Sequence, residues 1–348
     1  MACATLTIDL DAIAANWRAL DARSAPATET AATVKADAYG TGLDPVARRL
    51  AAAGVRSFFV ALAEEGAALR ALLGPGPFIG VFSGHMAGDA ALLRDAALVP
   101  MLNSPEQVRR QLDALPDHPF GLQLDSGMNR LGLEPADWAA LAPELLPRAP
   151  VLAMSHLACS DEPDHPMNAA QLAAFRAMTD GTGLRRSLAA TGGILLGPEY
   201  HFDLARPGIG LYGAAPFAAG QAAVRLELPV IQTRRLAPGD AVGYAAAWRA
   251  EGPARIATVA AGYADGLLRA LSHRGTLWAG DTPCPIVGRV SMDLITADIT
   301  HLPELPETLQ ALGPAQGVDA LAEAAGTIGY EMLTALGARY ERRYEGAA

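Results

Sequence analysis

Over its first 220 or so residues the chain repeats one alternation: a short apolar run, then a longer Ala/Leu/Arg-rich segment of helical period. The short runs fall at 33–36, 57–61, 78–82, 98–102, 120–125, 151–157, 187–190 and 202–206, and the helical segments include 43–53, 63–73, 87–95, 105–115, 136–145 and 167–181. Such alternation is the mark of βα units, and eight of them in this length predict a (β/α)8, TIM-like barrel. Beyond residue 220 the texture changes to strand-like runs at 224–233, 254–260, 285–290 and 294–298, set apart by turns such as Pro238-Gly239-Asp240. The expected fold is α/β: a barrel over 1–220 followed by a mainly β C-terminal domain over 221–348, each able to bury its own core.

Charge and hydropathy narrow what the chain contacts. A formal net charge of -10 opposes nucleic-acid binding, which needs a basic footprint. No apolar run reaches the roughly 18 residues of a membrane span. The N-terminus lacks a basic stretch and meets Asp9 and Asp11 early, unlike a secretory signal, so a cytoplasmic location is expected. Cys3, Cys159 and Cys284 show neither paired nor metal-type spacing, and no metal is expected. A small molecule is the expected partner.

In a barrel of this kind chemistry collects at the C-terminal ends of the strands. Lys35 lies near the end of the first run, Arg130 follows the fifth, His156 ends the sixth, Thr191 follows the seventh, and Arg206 and Gly208 follow the eighth. Lys35 is also the one lysine among 27 lysines and arginines. Either its position requires an amine that can lose its proton, which a guanidinium cannot do, or a single surface lysine has survived. Thr191-Gly192-Gly193 and Gly208-Ile209-Gly210 offer a hydroxyl and approachable backbone N–H groups at the usual phosphate place of the fold. A phosphate cradle opposite a lone amine suits pyridoxal 5'-phosphate (PLP), which needs a lysine for its Schiff base, a phosphate site and a residue facing its ring nitrogen.

Six runs then occur in order: Val34-Lys35-Ala36-Asp37-Ala38-Tyr39-Gly40, Leu124-Asp125-Ser126-Gly127-Met128-Asn129-Arg130-Leu131-Gly132, Ser155-His156, Arg206-Pro207-Gly208-Ile209-Gly210-Leu211-Tyr212-Gly213, Gly262-Tyr263-Ala264-Asp265-Gly266 and Gly288-Arg289-Val290-Ser291-Met292-Asp293. Together they resemble the signature runs of bacterial alanine racemases over nearly the whole chain. The resemblance implies a fold-type III enzyme, a PLP-binding barrel joined to a β domain, that interconverts L-alanine and D-alanine as a homodimer with shared active sites.

It also implies roles. Lys35 matches the lysine that holds PLP and serves as base on one face of the substrate. Tyr244 matches the tyrosine that acts on the opposite face and comes from the other subunit; read alone, it is a half-buried strand aromatic. Two bases suit racemisation, because the α-proton leaves one face and another arrives on the other. A free phenol titrates near pH 10, so Tyr244 needs a partner; His156 is the candidate, and alone it reads as a satisfied core histidine. Arg206 matches the residue facing the pyridine nitrogen. Since arginine keeps its proton, the nitrogen stays unprotonated and the cofactor is a weaker electron sink, whereas decarboxylases of this barrel type resemble one another in placing an acid there. Arg130 matches an arginine near the phenolic oxygen and the substrate, or is a surface ion pair. Tyr39, Thr191, Gly208, Ile209 and Tyr330 match the phosphate set. Tyr263 and Met292 match residues of the substrate entrance, and Met292 could equally fill core.

Departures from the pattern are Gln123, where many relatives carry a carbamylated lysine bracing the arginine, Asp37 for asparagine and Thr191 for serine. An anion such as chloride, or nothing, would balance Arg130, and Asp37 would tend to hold Lys35 protonated. Three signals are set aside: the G-x-G-x-x-G of 208–213 opens no helical pattern, the Cys159, Asp161, Asp164, His165 cluster reads as a proline-stiffened loop, and 339–345 reads as a solvated end. The other readings are a fold-type III racemase of serine or broad specificity, a decarboxylase, and a non-catalytic PLP-binding protein.

Overall fold

The structure, a computed structural model, describes residues 4–346, so Cys3 lies outside it. Strand β1 (Thr5–Asp9) leads into helix Leu10–Asp21; the barrel strands follow as β2 (Glu29–Thr30), β3 (Ala32–Thr33), β4 (Ser57–Val60), β5 (Phe78–Val81), β6 (Val99–Leu102), β7 (Gly121–Gln123), β8 (Ala153–Met154), β9 (Arg186–Ser187) and β10 (Leu204–Ala205). Strands β3 to β9 form one parallel sheet in chain order, and β10 pairs with β2. Only Ala31 separates β2 from β3. The N–H groups of Glu29, Ala31 and Thr33 donate to the carbonyls of Asp203, Ala205 and Pro207 at 3.0, 2.8 and 2.9 Å, and Arg206 N–H donates to Ala189 O at 2.8 Å. These bonds close the sheet into an eight-stranded barrel; six strands fall inside the expected runs, while the first and seventh, 29–33 and 186–187, overlap theirs by one residue each.

The barrel is a packed core. Phe59, Val99, Met101, Leu152, Met154 and Leu204 form one buried cluster. They lie on or, for Leu152, one residue before the second, fourth, sixth and eighth strands, which do not bond to one another, so they meet across the lumen in the layered filling of this architecture, and Ala31, between β2 and β3, completes the cluster. Helices between strands begin where the sequence supplies stops and caps: Pro105 opens Pro105–Ala114 behind Ser104, whose Oγ accepts Gln107 N–H at 3.2 Å.

The first strand ends earlier than expected. It stops at Thr33 rather than 36, and Ala36, Asp37, Ala38 and Tyr39 all take φ between 53° and 56°. This is a single left-handed turn of non-glycine residues, which costs about 1–2 kcal/mol per residue and persists only where neighbours hold it.

The second unit takes in β1, Tyr39–Thr41 and the chain from Ala222 onward, while Ile13–Ala38 and Gly42–Gln221 form the barrel unit. Residues 4–12, assigned to the barrel from sequence, therefore belong elsewhere. The unit contains β11 (Val224–Leu236), β12 (Ala241–Val242), β13 (Trp248–Arg249), β14 (Ala254–Val259), β15 (Thr276–Ala279), β16 (Thr282–Pro285), β17 (Ile295–Asp298), β18 (Thr308–Leu312) and β19 (Glu341–Glu345), with helices Val318–Ala325 and Gly329–Thr334. The main sheet runs β16-β15-β18-β11-β1-β19. A register shift between Val230 and Gln232 lets the long β11 pair with β1 and β18 in its first half and β14 in its second. The run 285–290 is not a strand, since β16 ends at Pro285 and Ile286 makes only an isolated bridge to Ala297. Nor is 339–345 a free end: Glu341–Glu345 pairs in parallel with β1. Among the described residues no helix is long and apolar enough to cross a membrane, and no group of three metal-capable side chains forms.

Candidate active site

At the C-terminal end of the barrel, Lys35 stands two residues past β3, its Nζ 5.7 Å from the centroid of the Phe82 ring. Burial lowers its pKa below the usual lysine value, the Arg130 guanidinium lowers it further, and the Glu65 carboxylate opposes both. Asp37 does not play the part expected of it. Its Oδ1 accepts Leu43 N–H at 2.7 Å, and the negative charge acting on Lys35 is that of Glu65.

Arg206, the residue after the eighth strand, is buried. Its Nη2 donates to Ser155 O at 2.6 Å, its Nη1 donates to Ser187 Oγ, and its carbon lies 5.9 Å from the Phe59 ring centroid. No carboxylate partners it among the described residues, and burial pushes its pKa down to about 9, which leaves it charged at neutral pH. A guanidinium so placed keeps donors for an acceptor that the protein does not supply.

His156 follows Ser155. Its carbonyl accepts Gln171 Nε2 at 2.9 Å, and Gln171 also donates to Ser126 Oγ at 3.3 Å while accepting Ala158 N–H at 2.8 Å. Ser126 and Ser155 hydroxyls bond at 2.7 Å. Burial, then the positive charges of Arg206, Arg130 and Lys35, push the imidazole down to about 3, so it is neutral. Arg130 is exposed at the end of a turn held by Asp125, whose carboxylate accepts the N–H groups of Gly127 at 2.8 Å and Asn129 at 3.0 Å. Gln123, buried at the end of β7, gives it no countercharge.

Thr191 opens the short helix Thr191–Leu196, and its Oγ1 accepts the N–H groups of Gly208 and Gly210, both at 3.2 Å. A Cβ on Gly210 would lie 2.6 Å from Thr191 Cγ2, and one on Gly192 would lie 2.5 Å from Ser160 Oγ, so the cradle admits only glycine at both places. Ile209 is buried beside them. An amine with a lowered pKa, a buried guanidinium lacking an anion and a hydroxyl-and-backbone cradle form a donor set that fits a phosphorylated, ring-nitrogen aldehyde.

The second unit carries the remaining candidates. Tyr39 is buried with its ring 6.1 Å from that of Tyr330, and burial and Tyr330 raise its phenol well above the ordinary value. Gly40, at φ 78°, lets the chain pass Leu333, whose carbonyl oxygen would sit 2.3 Å from any Cβ there. Tyr244 stands at the tip of the β12–β13 hairpin, 70% exposed. Tyr263 and Met292 are also exposed, on loops joined by Tyr263 N–H to Ser291 O and Ala264 N–H to Met292 O, each 3.0 Å.

The sequence reading missed Glu65, Gln171, Ser187 and Arg339. Glu65 had a legible signal, an acid at the third position of a helix after an apolar run, as in a capping box. The others find partners far away in sequence.

Known proteins resemble this chain in sequence and in fold. Residues 8–216 match the family model "Alanine racemase, N-terminal domain" and 223–344 match "Alanine racemase, C-terminal domain". The chain is 67% identical over 344 residues to an alanine racemase of Cereibacter sphaeroides, with 99% of each covered, and 62% identical over 346 residues to that of Dinoroseobacter shibae, again with 99% of each covered. Its structure resembles the alanine racemase of Bartonella henselae, described with covalently bound pyridoxal phosphate, at TM-score 0.95 and 36% identity, covering 99% of this chain and 100% of that one. It also resembles the biosynthetic alanine racemase of Pseudomonas aeruginosa at TM-score 0.94 and 37% identity, with the same coverage. This chain belongs to the alanine racemase family.

Proposed function

We propose that this protein interconverts L-alanine and D-alanine in the cytoplasm with PLP held at Lys35, as a homodimer in which Tyr244 of the partner subunit completes each site. The observation that carries the reading is the chain's one lysine side chain standing just past the first barrel strand with a lowered pKa, while Arg206, just past the eighth, is buried with no carboxylate partner among the described residues. Thr191, Gly208, Ile209, Tyr39 and Tyr330 would hold the phosphate, Arg206 the ring nitrogen, and Arg130 the phenolic oxygen. When bound, PLP supplies an electron sink that acidifies the α-proton of the amino acid.

Lys35 then takes or gives a proton at Cα from one face and Tyr244 does so from the other; when one removes a proton and the other returns one, the configuration inverts. Neutral His156 can accept a hydrogen bond from the Tyr244 phenol. Arg206, charged at neutral pH, would donate to the ring nitrogen, which would limit the sink and favour return of the proton. A decarboxylase of this barrel type would want an acid there. A single-barrel PLP carrier would lack the second unit that bears Tyr244, Tyr263 and Met292.

In deuterated water, the purified protein is expected to racemise L-alanine with deuterium entering at Cα. Carbon dioxide release, or no turnover of any amino acid, overturns the reading.

A further inference from the structure

Arg339 holds two loops at once. Its Nε and Nη2 donate to Asp265 Oδ1 and Oδ2 at 2.7 and 2.8 Å, and its Nη1 donates to Asp293 Oδ1 at 2.7 Å. Asp265 lies in the turn that carries Tyr263, and Asp293 directly follows Met292. Asp265 is buried and accepts Gly262 N–H at 2.9 Å, and its carbonyl accepts Gly337 N–H at 3.0 Å. A Cβ on Gly262 would lie 2.3 Å from Ser291 O, and one on Gly266 would lie 2.2 Å from Ala335 O, so the two loops and the segment after the Tyr330 helix meet backbone to backbone. The Arg339–Asp293 arm is different: its side chains are 52% and 55% exposed. An exposed ion pair adds little stability, but a planar guanidinium bonded to two carboxylates fixes their separation, which a flexible ammonium does not.

We propose that Arg339 is a positioning residue for the racemase reaction: by bridging Asp265 and Asp293 it sets the spacing of Tyr263 and Met292, and with it the entrance through which the amino acid binds. The inference rests on the racemase reading of the site. Arg339 touches neither substrate nor reacting atoms, so its loss acts on substrate binding rather than proton transfer.

The test uses the PLP-loaded enzyme and four variants, Asp293→Asn, Arg339→Gln, their combination, and Arg339→Lys. Asp293→Asn changes only exposed atoms and keeps the test open if Arg339→Gln folds poorly. KM for alanine in Asp293→Asn is expected to rise about tenfold, with kcat within about twofold of wild type and an unchanged thermal midpoint. The double variant is expected to be no worse than Arg339→Gln, because both changes cut one fork, and Arg339→Lys is expected to recover an intermediate KM. An additive double variant, a kcat loss at constant KM, or a lowered midpoint with wild-type KM overturns the proposal while leaving racemisation intact. A wild type that binds PLP but racemises nothing overturns both.

Discussion

Glu65 accepts the N–H of Ala36 at 2.7 Å and so pins the residue next to Lys35. Its second oxygen accepts the N–H groups of Ala61 and Leu62 at 2.7 and 3.2 Å. One carboxylate thus ties the end of the second barrel strand to the left-handed turn that presents the amine. Glu65→Ala is expected to release that turn, weakening PLP retention about tenfold and lowering the thermal midpoint by several degrees, with Glu65→Gln between it and wild type. Equal PLP affinity in all three, measured by fluorescence titration, contradicts this role.

Arg206→Glu exchanges a fixed positive charge for a group that can protonate the ring nitrogen. Racemisation is expected to fall at least about a hundredfold, while pyruvate formed per racemisation event rises. A lactate dehydrogenase coupled assay measures the pyruvate. No increase in that ratio would count against Arg206 as the group that restrains the cofactor.

His156 gives a pH signature. Its folded pKa, about 3 against an ordinary 6.5, is depressed by burial and by Arg206, Arg130 and Lys35. Between those values the unfolded chain binds the proton and the folded chain does not, so this residue's contribution to stability is complete above 6.5 and is lost as pH falls towards 3. Thermal midpoints from pH 4 to 7 are expected to fall more steeply in wild type than in His156→Asn. Parallel curves rule this out.

Gln123, where the family resemblance implies a charged brace for Arg130, is neutral. A halide is expected beside its guanidinium. Crystals grown in bromide should show an anomalous peak there; a displaced Arg130 with no anion density would contradict it.

Most of the barrel was legible because its strands are local apolar runs followed by a helical period, so strand order comes from neighbours in sequence; the polar strands Glu29–Thr30 and Arg186–Ser187 lay at or beyond the edges of the expected runs. β1 was not legible, because its partners lie at 224–227 and 341–345. β19 hid for a related reason: it is an edge strand, mostly exposed, and its alternating charges read as a solvated end. The left-handed turn hid because Ala36, Asp37, Ala38 and Tyr39 include no glycine to announce positive φ. The Arg339 fork and the Gln171–Ser126–Ser155 network pair residues 29 to 74 positions apart, which periodicity cannot connect.

Lys35 is the residue proposed to carry PLP. The most direct measurement is borohydride reduction of the purified holoenzyme followed by peptide mass mapping. A pyridoxyl-phosphate adduct on Lys35, absent after Lys35→Ala, is the expected result; an unlabelled Lys35, or a label elsewhere, would contradict the account.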